Sequence, residues 1–475
     1  MRSRFIAAEK GALVVIVIAL LAKFFWPLVH FGWPLGYDAG IYRYLFTQHA
    51  TGFPPFWIGD IEAWARSQPP GLFFFTTILL RFGVPVDWLI GWVWNLFPVV
   101  LAGTLAWIMS KREGKEVGML VIVSAFLSIA YYDGFAAMYW KTYASLFFCV
   151  LAFYSLEKRS LWAILFGSLV IMTHHQTGLL FGAAVATWWF TGMLRSKSGA
   201  DRRQWMMMLG IGTGILAIGL LTYLPVWQSA IADNLALLLN SSGAHSGNFP
   251  PPEFYLRWEA ILLLFAAYGF LISFRRESGS LWQCAVLWAV IFISLHLLFY
   301  RRFFLQLDFF LLPFAASGIH DLWKRARYPA LKIIIILLLV AQAALTLSVL
   351  PLRTPYVDTE TFAAALRLKS ELPVNATIIV PENVSAVVVR GWAPDARVVA
   401  PGIFESLWSY DQWKSFILGT HKDRLSLLKS LQPPTVLFVA PAFRSFYGPA
   451  AEPFLADSCF QKTDDPFLLR VTCIP

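Results

Sequence analysis

Residues 11–29 read GALVVIVIALLAKFFWPLV. About 20 mostly apolar residues, rising about 1.5 Å each, cross about 30 Å of hydrocarbon as one helix. This stretch has that length and character. Arg2, Arg4 and Lys10 precede it, and no small-x-small cleavage site stands before the Trp33-Pro34 turn. Many apolar runs follow, so it reads as a retained first span rather than a signal peptide. The whole chain has the same bias. Of 475 residues, 58% are hydrophobic and 14% charged, with a mean hydropathy of +0.61. Soluble domains run about 45–50% apolar and about 25% charged. The composition thus excludes an ordinary cytosolic enzyme, a disordered chain and a disulfide scaffold. The 21 Trp suit a chain that meets the membrane–water interface many times.

Further apolar runs lie near 88–110, 117–132, 138–156, 160–175, 178–194, 205–227, 256–274, 280–299, 303–320 and 329–351, which predicts about eleven spans. The loops test that count. Lys111-Arg112-Lys115, Lys158-Arg159, Arg195 to Arg203, Arg275-Arg276 and Lys324 to Lys332 fall on alternate sides. With the amino terminus inside, 18 Lys/Arg lie on the cytoplasmic side and 7 in the outer part of the membrane region, as the positive-inside rule requires. The net charge of +10 is therefore a topology signal, and no nucleic-acid partner is expected. Parity also requires that the apolar stretch 71–82 not cross. At about 1.5 Å per residue it covers only about 18 Å, and it reads as a juxtamembrane or half-inserted helix within one external segment, 31–87.

After the last span the composition changes. Residues 353–475 carry charges throughout and have no run long enough to span. Helix-like pieces at 359–371 and 422–431 alternate with extended pieces at Ala376 to Val380 and Thr435 to Val439, the pattern of a small α/β domain. The expected fold is a polytopic α-helical membrane protein of about eleven transmembrane helices with external juxtamembrane helices. Residues 1–352 form its membrane domain and 353–475 a soluble extracytoplasmic α/β domain. The expected location is the cell (plasma or inner) membrane, multi-pass, with the amino terminus cytoplasmic. Cys149 and Cys284 fall in spans and read as packed thiols. Cys459 and Cys473 flank the turn Asp464-Asp465-Pro466. They pair as a cross-strand disulfide or stay as two thiols; both readings are open.

The external segment 31–87 carries the chemistry. It holds Gly36-Tyr37-Asp38-Ala39-Gly40-Ile41-Tyr42-Arg43-Tyr44. If 39–50 is a helix, Asp38 stands at its start, either as an N-cap for backbone N–H groups or as a reactive carboxylate, with Tyr42 adjacent four residues on. Ile41 and Leu45 would share a face resting on the membrane surface. Asp60 and Glu62 follow, either a solvated acidic turn or, with Asp38, ligands for a divalent cation such as Mg, Mn or Ca. Gln68-Pro69-Pro70-Gly71 then opens the short apolar helix. Asp133, in Tyr131-Tyr132-Asp133-Gly134-Phe135, is a further acid at the outer end of a span and a functional candidate on that ground.

This layout resembles the GT-C superfamily of membrane glycosyltransferases, which includes protein mannosyltransferases, aminoarabinose transferases and oligosaccharyltransferases. The matching features are Asp38 just after the first span, Pro69-Pro70-Gly71-Leu72 at the end of the long first loop, Asp133 with Lys141 heading the next span, Thr173-His174-His175-Gln176-Thr177, and Tyr300-Arg301-Arg302-Phe303. The likeness covers about the first 320 residues. No Trp-Trp-Asp-type signature follows, which argues against an oligosaccharyltransferase.

The resemblance implies a donor sugar carried on a polyprenyl phosphate and an acceptor that is lipid-linked, a glycan or a protein, with membrane lipids around both. Attack on the anomeric carbon, inverting it, needs a base, for which Asp38 is the candidate with Asp133 as a second catalytic acid. The departing phosphate needs its charge neutralised, which Arg301, Arg302 and Lys141 can do. Arg301 can instead pair with Asp308, seven residues on, or both arginines can snorkel to the interface. Tyr42, His174 and His175 are candidate substrate contacts. Adjacent on a helix, the two histidines point about 100° apart and are poor joint metal ligands. Two other classes remain: a ligase or polymerase of envelope glycans, and a transporter or flippase of lipid-linked glycans. No internal repeat favours the latter.

Overall fold

The computed structural model describes residues 2–52, 65, 68–224, 227–228, 232, 249–276, 279–372, 375–402 and 407–474. Asp60, Glu62 and His245 lie outside the described residues. The chain divides into two compact units. One comprises Met1–His30, Pro69–Phe75 and Gly91–Arg353; the other Phe31–Gln68, Thr76–Ile90 and Thr354–Pro475.

The first unit is helical. Among the described residues, six helices are long and apolar enough to cross a membrane: Gly11–Phe31, Val86–Glu113, His175–Arg195, Gly199–Leu221, Tyr300–Arg325 and Pro329–Leu352. Two bent pairs raise the count to eight, Lys115–Leu127 with Ile129–Ala136 at 59° and Pro252–Trp258 with Ala260–Arg276 at 93°. The other three expected spans are helices too, Trp140–Glu157, Trp162–Thr173 and Leu281–Ser294, of 18, 12 and 14 residues. Every expected span is thus helical at its expected place, but two runs read as continuous are broken, and the helices long and apolar enough to cross number six to eight among the described residues against about eleven expected. The stretch expected not to cross forms the 11-residue helix Gly71–Arg81.

Both breaks fall at residues without a helix-breaking side chain, Ser128 and Glu259, so their cause is long-range. A break frees backbone groups that lipid cannot satisfy, and side chains far away in the chain take them up. Lys23, on the first span and 3% exposed, donates to the carbonyls of Ala125 (3.2 Å), Phe126 (2.8 Å) and Ser128 (2.6 Å). Thr346 donates to the Leu127 carbonyl at 2.6 Å, and Gln342 to that of Trp258 at 3.0 Å. The Glu259 carboxylate accepts the N–H of Ile129 (3.0 Å) and of Ala130 (3.4 Å), at the start of the second half-helix of the other broken pair. A carboxylate at a helix N-terminus and an ammonium at a helix C-terminus each match the helix dipole.

The second unit contains a five-stranded sheet: β1 (Thr377–Ile379), β2 (Arg397–Val399), β3 (Thr435–Phe438), β4 (Phe460–Lys462) and β5 (Leu468–Val471). The order is β2-β1-β3-β5-β4. β1 runs parallel to β2 and β3, while β5 is antiparallel to β3 and β4. The helices Thr359–Glu371 and His421–Leu428 and the strands β1 and β3 lie where hydrophobic patterning predicts. Ile379, Leu437, Phe416, Trp413 and Phe454 form a buried core. Cys459 and Cys473 are joined in a disulfide, which resolves the choice left by the sequence. Cys149 and Cys284 are buried thiols.

The segment after the first span belongs to this second unit and is tied to it through glycine. The helix Ala39–Ala50 crosses the helix Asn383–Trp392 so closely that a Cβ on Gly40 would lie 1.9 Å from the Val387 carbonyl oxygen, and one on Gly391 would lie 2.5 Å from the Gly40 Cα. Arg43 fastens the crossing, donating to the Gly391 carbonyl at 2.6 Å and to Asp87 at 2.7 Å. The buried Arg390 donates to the Tyr44 hydroxyl at 2.9 Å. Leu45 is 1% exposed and Ile41 half-buried, so Leu45, on the face expected to rest on the membrane surface, is instead covered by protein. Gly40→Val forces these helices apart and is expected to cost about 2–3 kcal/mol. Limited proteolysis of the full chain should then cut near Asn383–Trp392 faster than in wild type; unchanged protection would contradict the crossing.

Candidate active site

In the first unit the candidate residues fall into two groups, the first buried and the second half-buried. The first centres on Asp133, on the half-helix Ile129–Ala136 that Lys23 and Glu259 hold in place. Its carboxylate takes two parallel bonds from Arg353, Nε to Oδ1 at 2.7 Å and Nη2 to Oδ2 at 2.9 Å, and the Tyr255 hydroxyl donates to Oδ2 at 2.9 Å. One turn away, the Ser128 hydroxyl donates to Asp308 at 2.7 Å and accepts the Tyr131 N–H at 2.9 Å. Asp308 is therefore bonded to Ser128, and no ion pair with Arg301 forms. Tyr131 donates to the Pro98 carbonyl at 2.7 Å, and Tyr143 donates to the Tyr131 carbonyl. The Asp133 carboxylate is thus fully engaged by protein donors.

That engagement makes a prediction. A two-pronged guanidinium–carboxylate pair is geometrically specific, and removing one partner of a buried pair costs about 3–5 kcal/mol. Asp133 is buried and the Arg353 side chain only 25% exposed. Arg353→Ala is expected to lower stability in detergent by about 3 kcal/mol, and Arg353→Lys by less. Thermal unfolding of the two variants measures this, and unchanged stability in both would count against the pair.

The second group lies around Arg301 and Arg302. They form a single 3-10 turn that leads into the helix Phe303–Arg325. Arg302 stacks over the rings of Phe299 (4.9 Å) and Tyr139 (5.4 Å), and Arg301 over Tyr300 (6.0 Å). The backbone leading to these contacts is strained: Met138, His296 and Leu298 hold φ of 61°, 52° and 53°, a conformation costly for bulky side chains. His174 caps the helix His175–Arg195, its Nδ1 accepting the Thr177 N–H at 3.3 Å. Gln306, one turn past Arg302, donates to the Thr177 hydroxyl at 3.2 Å. Lys141 and Arg302 act electrostatically on His174, and Lys141 also on His175. Four of the expected residues are thus gathered here: Arg302, Lys141, His174 and His175. The Pro-Pro-initiated helix starts against the same corner, since a Cβ on Gly71 would lie 2.5 Å from the Thr173 hydroxyl.

The electrostatics of this corner are lopsided. Arg301 Nε and Arg302 Nε are buried with no acceptor, and neither arginine has an acidic partner among the described residues. His175 Nε2 is likewise buried without a partner among them, its ring set edge-on to Tyr223 at 5.1 Å. Buried polar atoms of this kind are normally satisfied. The corner is complementary to an anion with several acceptor oxygens.

Asp38 belongs to the second unit. It stands at the N-cap of Ala39–Ala50 but its side chain makes no capping hydrogen bond; its backbone carbonyl accepts the Tyr42 N–H at 2.9 Å. The N-cap reading is therefore not realised by the carboxylate. Burial, followed by the Asp38 and Glu382 carboxylates, pushes the Tyr37 hydroxyl above its ordinary range, so these three groups share one neighbourhood. Tyr42 is 4% exposed, its ring 5.8 Å from that of Phe46.

One group of potential metal donors exists among the described residues: His421, Asp457 and Cys459 place donor atoms within 4.8 Å of one another. The group is a poor fit. Cys459 is in the disulfide, and Asp457 accepts from His421 (2.8 Å), Arg424 (2.7 Å) and the Cys459 N–H (2.9 Å). Burial works to raise the Asp457 carboxyl, but those donors outweigh it and hold it below the usual range.

Sequence reasoning missed Lys23, Glu259 and Arg353. The first two carried a signal, since an ionisable residue inside an apolar run is unusual by itself. Arg353 follows the last span directly and looks like an ordinary flanking charge.

No family model and no curated protein matches the sequence. Solved structures do match. ArnT from Cupriavidus metallidurans in the apo state is similar over 98% of both chains, with a TM-score of 0.63 and 13% identity. The same protein bound to undecaprenyl phosphate gives 0.63 and 11% identity, again over 98% of both chains. The apo oligosaccharyltransferase of Archaeoglobus fulgidus is similar over 94% of this chain and 71% of its own, with a TM-score of 0.62 and 12% identity. A complex of that enzyme with Zn and sulfate gives 0.59 and 13% identity over 90% of this chain and 68% of its own. This chain is a polytopic helical membrane protein that shares the fold of these two proteins.

Proposed function

We propose that the protein is a membrane glycosyltransferase that moves a sugar from a polyprenyl-phosphate carrier to an acceptor on the extracytoplasmic face, inverting the anomeric centre. The observation that carries this reading is the corner of uncompensated cations, Arg301 and Arg302 with Nε groups buried and unpartnered among the described residues, beside Lys141, His174 and His175. A lipid phosphate supplies the missing acceptors. The reaction forms a bond from the acceptor oxygen to the anomeric carbon and breaks the bond from that carbon to the phosphate oxygen, whose growing charge the arginines stabilise. Asp38 takes the acceptor proton as base; were it a metal ligand instead, it would help hold a divalent cation that would acidify the acceptor hydroxyl. Asp133, fixed by Arg353, serves by its charge and position. Likeness to a fold solved with undecaprenyl phosphate bound supports the donor class. Residues 1–352 act as the catalytic membrane domain, and 353–475 as an extracytoplasmic domain that guides the acceptor.

The transporter reading has one observation in its favour, the two broken spans, a device of secondary transporters. Here, however, Lys23, Glu259, Gln342 and Thr346 take up backbone groups at both breaks, whereas in such a transporter those groups face the cargo. Asp38→Asn discriminates between the two. It keeps shape and removes the base, and is expected to lower the transfer rate by about 10²–10⁴-fold with folding intact. Equal rates in variant and wild type would remove Asp38 from the chemistry.

A further inference from the structure

Arg302 has no acidic partner among the described residues, so its guanidinium is oriented by the rings it lies on. One of them, Phe299 at 4.9 Å, belongs to the same turn of chain. The other, Tyr139 at 5.4 Å, comes from a distant part of the sequence. The direction of the guanidinium therefore depends on what fixes Tyr139.

The local backbone is a poor support for it. Met138, just before it, holds φ of 61°, and a residue in that conformation persists only where its surroundings over-determine it. Tyr139 itself stands at the N-cap of the helix Trp140–Glu157 and makes no side-chain capping bond. The support comes from packing. The buried ring of Tyr139 lies against that of Phe249, with centroids 5.9 Å apart and planes at 28°. Phe249, also buried, meets Tyr255 in the same way, at 5.6 Å and 25°. Both are offset-stacked pairs. Tyr255 is the residue whose hydroxyl donates to Asp133 at 2.9 Å, and its ring lies 5.9 Å from Phe304, close behind Arg302 in the chain. Phe249 thus bridges the Asp133 group and the arginine corner.

The sequence around Phe249 explains why it can carry such a role. It reads Phe249-Pro250-Pro251-Pro252. A residue before proline is held extended, and each proline fixes its own φ. Pro251 stands at φ −71° and ψ 160°, and Pro252 opens the helix Pro252–Trp258, which carries Tyr255. A stiff segment therefore ties Phe249 to Tyr255, and through it to Asp133.

We propose that Phe249 is a positioning residue for the transfer reaction: it holds the Tyr139 ring, and through that ring keeps the Arg302 guanidinium directed at the donor phosphate. The role rests on the reading of this corner as the phosphate site. Phe249 touches no substrate in it. A guanidinium already held in place loses less freedom when the lipid arrives, which favours binding.

The test is the affinity of the purified full chain for undecaprenyl phosphate, measured by native mass spectrometry in wild type, Phe249→Leu, Arg302→Gln and the double variant. Leucine keeps much of the apolar volume but not the flat face, so the variant should fold. Phe249→Leu is expected to weaken binding roughly three- to tenfold, the range of one aromatic pair. In the Arg302→Gln background it should weaken binding no further, because its effect passes through Arg302. Phe249→Tyr keeps the ring and should bind as wild type. Phe249→Met, whose flexible side chain fills irregular gaps, replaces Phe249→Leu if that variant does not fold. A residue that only packs would weaken binding by the same factor in both backgrounds. That result, unchanged binding in Phe249→Leu, or a loss in Phe249→Tyr as large as in Phe249→Leu would overturn the proposal. An Arg302→Gln protein that binds as wild type would instead contradict the phosphate reading itself, and with it the role of Phe249.

Discussion

Replacing Lys23 with methionine should be the most damaging single change to the fold. Methionine fits the space and keeps the apolar stem, so the loss isolates the ammonium. In the native protein that ammonium spends all three donors on the carbonyls of Ala125, Phe126 and Ser128. At membrane depth no water replaces it, and each orphaned buried acceptor costs about 1–3 kcal/mol. The half-helix that carries Asp133 also loses one of its two anchors. A loss of about 4–5 kcal/mol is expected, enough to lower the unfolding temperature in detergent by about 5 °C or to prevent accumulation. Glu259→Gln, which retains acceptor and donor capacity, should be milder. A Lys23→Met protein that unfolds at the wild-type temperature would show that the break is held by packing alone.

The largest expected effect on activity without loss of fold is at the arginine pair. Neither arginine has an acidic partner among the described residues, so neutralising one leaves no buried carboxylate exposed, and Arg302→Gln should fold. Removing a preorganised donor to a developing oxyanion costs about 3 kcal/mol of barrier, roughly 10²-fold in rate. Arg301→Gln should fall in the same range, and the double variant should lose less than the product of the two if both contact one phosphate. The loss should fall on kcat more than on KM, because charge grows on the phosphate as the glycosidic bond breaks. A rise in KM alone would make the pair a ground-state lipid clamp.

The parts of this protein that could be read from sequence are those set by local patterning. Each apolar run became a helix, and Lys/Arg placement implied a topology. Likewise Thr359–Glu371 and Thr435–Phe438 follow from periodicity, whereas the Cys459–Cys473 pairing is one of two readings the sequence leaves open. The arginine and histidine motifs stood out because each is a polar cluster at the end of an apolar run.

What escaped was long-range. Ser128 and Glu259 break their helices with no proline or glycine at the break, because partners on the first and last spans take up the freed backbone groups. Lys23 meets its carbonyls more than 100 residues away, a pairing for which sequence carries no local mark. Arg353 could not be told from an interfacial charge until it was seen on Asp133. The role of Gly40 is similar: the sequence shows a glycine after Asp38, and only the fold shows the helix that presses on it. Asp38 itself was legible as a helix start, and the structure removes capping as its explanation.

The central question is whether a lipid-phosphate sugar is consumed. The direct measurement is incubation of purified protein with a panel of radiolabelled polyprenyl-phosphate sugars and a membrane extract as the source of acceptor. Label and free polyprenyl phosphate are then followed together. The transferase reading predicts that one donor loses its sugar to an acceptor, with polyprenyl phosphate released in equal amount and both signals absent in Asp38→Ala of equal folding. Binding of the donors with no label transferred and no polyprenyl phosphate released would contradict it, and would make the protein a carrier of such lipids.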